Sequence, residues 1–516
     1  MNFSLLPKNI RDFFLKHPFW KFYTLWVLIL AVTAKLSEGW MQPDEQARVL
    51  EPAHFIAYGL ASLPWELSAD KPIVSWLLGT VFSPILRLTK WLNFDGRNEA
   101  ALMRFLFGSL ASTRFFALWK IFEKLKLKQT RRVFYLLVMM FAVFGPIFLV
   151  RTSQENLATT MLIWAFYLAL KINAEGFTKG RGLCFGVLLA FTASTRPQLG
   201  LASAGLGLWQ LRRHGWGIVG PAACGLFIGL LPLAVVDQRT THHFFSPAFN
   251  YLSYALGDEN GGRTWGTSPW WFYLTAYFES WYPPLSIIFA VPLMVGVFLT
   301  PSLAVVIVPF LIAHFILGHK ETRYFSPMIP FFQIGMFLGL EHLEARSRFW
   351  NWLTSLDKFW LRLLKFIGTL TLLAGFWPIN SSPWMYQAMG RQIREGSITH
   401  FSYIGNTMTS FSQFYSKMPP STTYTKYSWD DVRDGHATPQ GWLAFYCLDP
   451  EDYFRIQEIC GNKGFYQYQD WFINTLMLAP RSPARRKLNP IIYCPLALNF
   501  SKLDDSLPKT APGKTP

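Results

Sequence analysis

Residues 41–57, MQPDEQARVLEPAHFIA, decide how this chain is interpreted. They follow the first hydrophobic run and carry Asp44, Glu45 and Glu51, with His54 close by. A carboxylate is very costly in hydrocarbon, so acidic side chains just outside a membrane span must be solvated or paired. A carboxylate held at that boundary is placed to take a proton from a hydroxyl group. A solvated loop after a helix is the alternative interpretation of the same residues.

The composition is that of a membrane protein. Of the 516 residues, 51% are hydrophobic and only 15% are charged, whereas soluble domains contain about 25% charged residues. Apolar runs of about 18 residues recur along most of the chain, which is the pattern of membrane-spanning helices. We assign the formal net charge of +17 to basic cytoplasmic loops and predict no nucleic-acid partner.

The predicted fold is an all-α polytopic membrane protein with about 11 transmembrane helices in residues 1–378. Basic residues before the first run predict a cytoplasmic N-terminus, so residues 38–98 become a first outer loop. An apolar piece in that loop, 73–88, is shorter than a span and is interpreted as an interfacial helix, with a re-entrant helix as the alternative. The predicted spans are 19–36, 100–122, 133–150, 157–172, 183–194, 199–211, 218–236, 285–299, 303–317, 324–340 and 361–376.

The C-terminal quarter of the chain differs in composition. Residues 379–507 are polar and aromatic and predict a mixed domain on the outer side, while 508–516 is rich in Pro, Lys and Thr and predicts a disordered tail. Cys447, Cys460 and Cys494 lie in this part. One disulfide among them is possible, but neither the pairing nor its existence follows from the sequence.

Transfer of a sugar from a phospholipid carrier needs a base, cations for the departing phosphate and an apolar groove for the lipid tail. Asp44 or Glu45 suits the first role, and we assign it to Asp44 with Glu45 assisting. His319, Lys320 and Arg323 lie together at the end of a predicted span and suit the second, because Lys and Arg pair well with phosphate oxygens. A snorkelling interfacial cluster is the alternative for these three residues.

Other residues are candidates for binding phosphate or sugar, on less specific sequence patterns. Arg151 and Arg196 also follow predicted spans and are candidate phosphate ligands, with burial against Glu155 or another carboxylate as the alternative. Trp270 and Trp271 could stack on a sugar or form an interfacial aromatic belt. No phosphate loop and no metal-ligand spacing occurs in the sequence, so we predict neither a cofactor nor a metal.

At this point several motifs together resemble glycosyltransferase family 22, the lipid-phosphate-mannose-dependent α-mannosyltransferases of the multispanning GT-C fold. The first-loop pattern of that family is similar to residues 42–45, 51–54 and the pair Trp65-Glu66, with Gln42 in place of His. Its H-K-E-x-R-F pattern is similar to residues 319–324. Segments 151–156 and 196–198 resemble its arginine-containing motifs. Residues 266–273 resemble an element of the third-mannose transferases of GPI assembly, with Ser268 in place of His.

The resemblance implies that Asp44 is the catalytic base of an inverting, single-displacement transfer. It further implies a hexose, expected to be mannose, carried on a polyprenyl phosphate, and a lipid-linked glycan as acceptor. His54, Trp65 and Glu66, together with Trp270 and Trp271, become candidate acceptor- or sugar-binding residues. The active site is then expected on the lumenal face of the endoplasmic reticulum or on a periplasmic face.

Two other functions fit the same residues. A polytopic lipid transporter or flippase would use the basic cluster to hold a phosphate headgroup without covalent chemistry. A scaffold subunit of a membrane assembly would use the C-terminal domain for docking. Sugar transfer in detergent separates an enzyme from a transporter, because transport requires a sealed vesicle.

Overall fold

In the computed structural model, the described residues are 18–39, 43–59, 63–68, 70–141, 145–256, 266–281 and 285–375, together with short segments between 386 and 495. The chain divides into two compact units, residues 1–59 with 65–378 and residues 60–64 with 379–516. The first unit contains every helix of eight or more residues found in the described part of the chain.

Each predicted span contains helical structure. The helices of the first unit are α1 Pro18–Leu36, α2 Glu51–Tyr58, α3 Leu77–Trp91, α4 Gly96–Ser112, α5 Arg114–Lys124, α6 Gln129–Phe141, α7 Gln154–Glu175, α8 Lys179–Thr195, α9 Gly200–His214, α10 Val219–Thr241, α11 Ser246–Leu256, α12 Phe272–Trp281, α13 Leu285–Leu299, α14 Pro301–Ile316, α15 Ile329–Glu344, α16 Arg348–Ser355 and α17 Asp357–Gly375.

The predicted count of eleven transmembrane helices is not confirmed. Among the described residues, three helical stretches are long and apolar enough to cross a membrane, namely Gly96–Lys124, Gln154–Glu175 and Pro197–Thr241. A fourth candidate is the pair Ser286–Leu299 and Pro301–Ile316, which is bent by 115°. The other predicted spans contain shorter helices, several of them interrupted near a Pro or a Gly.

Helix α7 lies at the centre of the first unit. It packs against α4, α5, α8 and α9, and its residues Leu162, Ile163 and Phe166 are completely buried. Ser153 caps its N-terminus by accepting a hydrogen bond from the Asn156 backbone N–H. The cap fixes the position of the first turn of α7, which includes Glu155.

Helices α8 and α10 approach each other closely because each presents small residues to the other. A Cβ atom built on Gly225 would lie 2.0 Å from the Leu183 carbonyl oxygen, and one built on Gly186 would lie 2.0 Å from the Ala222 carbonyl oxygen. Small residues that bring helix backbones together are the usual basis of helix packing in membranes. This contact holds α10 against α8, the helix that Arg196 follows.

Helix α3 occupies most of the segment that was predicted to be interfacial. It buries Leu77, Phe82 and Leu86, whereas Val81 and Leu88 are more than half exposed. One apolar face of α3 therefore packs on protein, and its exposed apolar face suits a lipid interface.

The second unit contains a five-stranded mixed sheet. Its strands are β1 His400–Ile404, β2 Thr423–Tyr427, β3 Trp442–Tyr446, β4 Phe465–Tyr466 and β5 Ile491–Pro495. The order is β2-β1-β3-β5-β4; β1 pairs in parallel with β2 and β3, and β5 pairs antiparallel with β3 and β4. Cys447, Cys460 and the predicted tail 508–516 lie outside the described residues.

Candidate active site

Asp44 lies in a helical turn, Pro43–Glu45, that continues into a π-helix, Gln46–Leu50. Pro52 has no backbone N–H and cannot donate the usual α-helical bond to the residue-48 carbonyl. The Glu51 N–H instead bonds the Gln46 carbonyl, which is a π-helical spacing. Single π-helical turns occur frequently at functional sites, and this one leaves Asp44 and Arg48 on the same side.

Two arginines hold one oxygen of Asp44. Arg323 Nη1 lies 2.8 Å from Asp44 Oδ2, and Arg48 Nη1 lies 3.2 Å from the same oxygen. None of the described residues hydrogen-bonds the other oxygen, Oδ1, and one fifth of the side chain is exposed. The carboxylate is therefore anchored through one oxygen and open at the other.

The arginines also set the charge of Asp44. Burial alone would raise the pKa of this carboxyl, but the guanidinium groups of Arg48, Arg323 and Arg196 outweigh burial and lower it below its ordinary value of 3.8. Asp44 is therefore ionised at neutral pH, and its proton-accepting form is always available.

Glu321 organises the His319–Arg323 segment. Its Oε2 lies 2.5 Å from Arg323 Nε, and its Oε1 lies 3.2 Å from His319 Nε2 and accepts the Tyr324 hydroxyl at 3.1 Å. Burial would raise the pKa of Glu321, but the bonds from His319 and Arg323 lower it to about 2. The bond to Glu321 in turn raises the pKa of His319. Glu321 thus fixes the plane in which Arg323 reaches Asp44.

Lys320 donates hydrogen bonds to backbone carbonyls. Its ammonium group is 3.1 Å from the Ser268 carbonyl oxygen and also donates to the Leu317 carbonyl, and the residue is 6% exposed. The Ser268 N–H donates to the Gly318 carbonyl at 2.9 Å. These bonds connect the segment before Trp270 to the end of α14, which favours a structural role for Lys320 over direct phosphate contact.

Arg196 lies where the chain leaves α8. Because Pro197 follows it, Arg196 takes an extended conformation with φ −145° and ψ 96°. Arg196 Nη2 lies 2.8 Å from Glu155 Oε1 in a mostly buried ion pair. The predicted alternative for this arginine, pairing with Glu155, is therefore present. No other hydrogen bond of its guanidinium to the described residues is found, so most of its N–H donors are available.

Arg151 and Glu45 face the protein interior. Arg151 is 3% exposed and donates to the carbonyl oxygens of Ile147, Gly39 and Ser37 at 2.8–3.0 Å. Its Nη1 lies 3.8 Å from Glu45 Oε2. These bonds fasten the end of α1 to the segment before α7, so the geometry favours a structural role for both residues.

The remaining first-loop candidates, Glu66, His54 and Trp65, do not form one group. Glu66 Oε1 accepts a hydrogen bond from Arg48 Nη2 at 3.0 Å and so supports the Asp44 anchor. His54 is 2% exposed and stacks on Tyr58 with ring centroids 4.3 Å apart, so it lies on the buried face of α2. The Trp65 side chain lies outside the described residues.

Trp270 and Trp271 form an exposed aromatic pair. Their rings are 5.7 Å apart in an edge-to-face arrangement, and they are 59% and 48% exposed. The Lys320 bonds to Ser268 and Leu317 set their position relative to the His319–Arg323 segment. Both remain open to a ligand or to lipid.

A cleft lies next to Arg48, the partner of Asp44, and next to Arg196. The cleft is small and partly open to solvent. Arg48, Arg196, Gln198 and Tyr251 line it with polar groups. Its apolar wall comes from Val74, Leu77, Leu78, Leu233, Pro247 and Ala248. A space with guanidinium groups beside an apolar wall suits an anionic headgroup that carries an apolar chain.

Arg48 and Tyr251 are two of the site residues that the sequence analysis missed. Arg48 had a usable signal, because it follows Asp44 by four residues and such pairs meet on a helix face. Tyr251 had none, because it is one of 20 tyrosines and only the folded chain brings α11 to the cleft.

Comparison with known families and proteins identifies relatives of this chain. The profile of the Alg9-like mannosyltransferase family matches residues 19–402. GPI mannosyltransferase 3 of Yarrowia lipolytica is 25% identical over 65% of this chain and 66% of that protein. GPI alpha-1,2-mannosyltransferase 3 of Homo sapiens is 24% identical over 59% of this chain and 54% of that protein. The chain thus matches between about half and two thirds of the length of these relatives.

A solved structure shares the fold. ArnT from Cupriavidus metallidurans bound to undecaprenyl phosphate superimposes with a TM-score of 0.51 at 11% identity, covering 92% of this chain and 98% of that chain. The apo state of the same protein gives the same TM-score at 12% identity. This likeness supports the predicted fold class, a helical membrane protein of the GT-C type.

Proposed function

We propose, because this chain belongs to the Alg9-like mannosyltransferase family, that it transfers mannose from a polyprenyl-phosphate carrier to a hydroxyl of a lipid-linked glycan. The Asp44–Arg323 ion pair carries this proposal, because it joins the candidate base to a candidate phosphate ligand in one site. The relatives are named for GPI mannosyl transfer, and the structural neighbour binds undecaprenyl phosphate. Both favour a lipid-linked donor and a glycolipid acceptor.

In the proposed reaction, Asp44 is the base. Oδ2 stays on Arg323 and Arg48, and Oδ1 accepts a hydrogen bond from the acceptor hydroxyl. A carboxylate with a lowered pKa is a weak base, so the proton moves late, once the attacking oxygen has begun to bond the anomeric carbon and has become acidic. The new C–O bond forms as the C–O bond to phosphate breaks, with inversion, and the electron pair leaves on the phosphate.

Arg196 is the best-placed cation for that phosphate. It lines the cleft and has only one of its donors engaged, to Glu155. Arg323 and Arg196 both lie against the Tyr324 ring, with their guanidinium carbons 5.7 and 6.0 Å from its centroid. Preorganised cations at the position where charge develops are a large contribution to catalysis. Arg48 and Arg323 add charge from the Asp44 side, and His319 supports Arg323 through Glu321.

The surroundings fit the rest of the substrate. The apolar wall formed by Leu77, Leu78 and Leu233 would accommodate the first isoprene units of the carrier. Trp270 and Trp271 offer exposed ring faces to a sugar. We place the site on the lumenal or periplasmic face, since the donor and the acceptor are both lipid-linked and the N-terminal segment is strongly basic.

A transfer assay tests the proposal. Purified full-length protein in detergent is incubated with polyprenyl-phosphate mannose and an extract of lipid-linked glycans, and the products are analysed by mass. We expect a single hexose to be added to one class of glycolipid. A protein that transfers no sugar in detergent, but moves a phosphorylated lipid across sealed vesicles, would be a transporter and the proposal would be wrong.

A further inference from the structure

Helix α11 lines the cleft and is held there by a hydrogen bond to a neighbouring segment. Asn250 Nδ2 donates to the Pro72 carbonyl at 3.0 Å, which fastens the helix to the segment before α3. Pro247, Ala248 and Tyr251 follow one another at helical spacing and all line the cleft. The Tyr251 side chain is therefore held at the wall of the cleft by its own helix.

The Tyr251 hydroxyl has its acceptor side occupied. Gln198 Nε2 donates to the Tyr251 oxygen. Gln198 itself is placed by the short 3₁₀ helix Pro197–Leu199, directly after Arg196. A tyrosine hydroxyl can accept and also donate, and no acceptor for its proton occurs among the described residues.

The surroundings of the hydroxyl are cationic. The guanidinium groups of Arg196, Arg48 and Arg323 are all close enough to act on Tyr251 electrostatically. Burial nevertheless raises the pKa of Tyr251 above its ordinary value, so the phenol keeps its proton at neutral pH. The groups around the Tyr251 oxygen are cations and an amide donor, which cannot accept its proton. The Tyr251 hydroxyl can therefore donate to an anionic acceptor in the cleft.

We propose that the Tyr251 hydroxyl donates a hydrogen bond to a phosphate oxygen of the lipid carrier, with Gln198 as the positioning residue that orients it. The inference rests on the proposed function for the identity of the carrier. It adds a neutral donor to the arginines: Arg196 and Arg48 attract the charge, and Tyr251 fixes the direction of one phosphate oxygen relative to the base.

Binding measurements on the full-length protein in detergent test this proposal. The probes are a long-chain polyprenyl phosphate, the matching polyprenol without phosphate, and inorganic phosphate. For Tyr251→Phe we expect the Kd for polyprenyl phosphate to rise about tenfold or more, since a hydrogen bond to a charged acceptor is lost, and the Kd for polyprenol to stay within about twofold. Tyr277→Phe is the matched control, because its hydroxyl donates to the Ser286 carbonyl at 3.0 Å and does not line the cleft.

The positioning role of Gln198 has its own readout. Gln198→Leu should weaken polyprenyl phosphate binding less than Tyr251→Phe, about threefold, and should add nothing further in the Tyr251→Phe background. Additive losses would remove the assigned role of Gln198.

Three outcomes would overturn the proposal. They are an unchanged Kd for polyprenyl phosphate in Tyr251→Phe, an equal loss of polyprenol binding, and a loss confined to inorganic phosphate, which would make free phosphate the ligand. Failure of the proposed function is a separate result: a wild-type protein that transfers no sugar but binds polyprenyl phosphate still allows the Tyr251 comparison.

Discussion

Arg323 Nη1 donates to Asp44 Oδ2 at 2.8 Å across 279 residues of sequence. The contact joins the turn after the first helix to the segment after α14. It also brings Glu321 and Arg48 into one charged network around the candidate base. The predictions below follow from this network and from the helix packing that supports it.

Variants of the Arg196–Glu155 ion pair allow the structural and the functional role of Arg196 to be measured separately. Arg196→Met leaves a mostly buried carboxylate without its partner, which should destabilise the protein by about 3–5 kcal/mol. The double variant Arg196→Met/Glu155→Leu should recover most of that stability, because an apolar pair replaces the ion pair. Thermal unfolding in detergent measures the first effect.

Transfer activity should not recover in that double variant. We expect kcat/KM for the donor to remain at least about a hundredfold below wild type, because two groups that attract or position the phosphate are gone. A double variant that is as active as wild type would reduce Arg196 to a packing residue.

The pH dependence of transfer should report the charge of Asp44. Since neighbouring arginines lower the pKa of Asp44 below 3.8, the acid limb of the kcat profile that belongs to this group should lie below about pH 4. Arg48→Gln removes the first of the lowering charges, so the pKa rises and the acid limb moves to higher pH. Rates measured with saturating donor between pH 3.5 and 8 would detect the shift, and superimposable normalised profiles would contradict it.

Two glycines in α10 predict opposite effects of the same substitution. Gly225→Ala places a Cβ 2.0 Å from the Leu183 carbonyl oxygen, so α8 and α10 must separate, at a cost of about 1–3 kcal/mol. Gly220→Ala meets nothing within 4 Å and should be neutral or slightly stabilising, because Ala is the better helix former. Unfolding midpoints of the two variants, compared in one detergent, decide whether this contact stabilises the fold.

Much of the fold could be predicted from local pattern. Hydropathy located helical structure in every predicted span, because apolar runs bounded by charged residues determine where helices begin and end. The number of membrane crossings is not confirmed. A bend such as the one between α13 and α14 depends on how Thr300 and Pro301 are packed, and the approach of α15 to α13 depends on glycines that meet only in the folded chain.

The sequence identified candidate residues of the site but not which of them contact one another. The residue types of Asp44 and Arg323 marked them as candidates, and the short spacing from Asp44 to Arg48 could have added a third. Lys320 carried the same signal as Arg323 but is engaged with backbone carbonyls. Tyr251 comes to the cleft through the packing of α11, which no short-range pattern encodes.

The most direct test of the central claim is the transfer rate of Asp44→Asn. Asn keeps the shape and can still accept a hydrogen bond from Arg323, so the variant should fold and reach the membrane as wild type does. Asp95→Asn is the matched control, since Asp95 caps α4 by accepting the Asn98 N–H and Asn caps equally well.

For Asp44→Asn we expect kcat to fall by at least about a thousandfold, with binding of polyprenyl phosphate retained and a lower unfolding midpoint, because Arg48 and Arg323 lose their charged partner. Asp95→Asn should retain the wild-type rate. Transfer by Asp44→Asn at close to the wild-type rate would contradict the account, because the carboxylate that faces Arg323 would then not be the base.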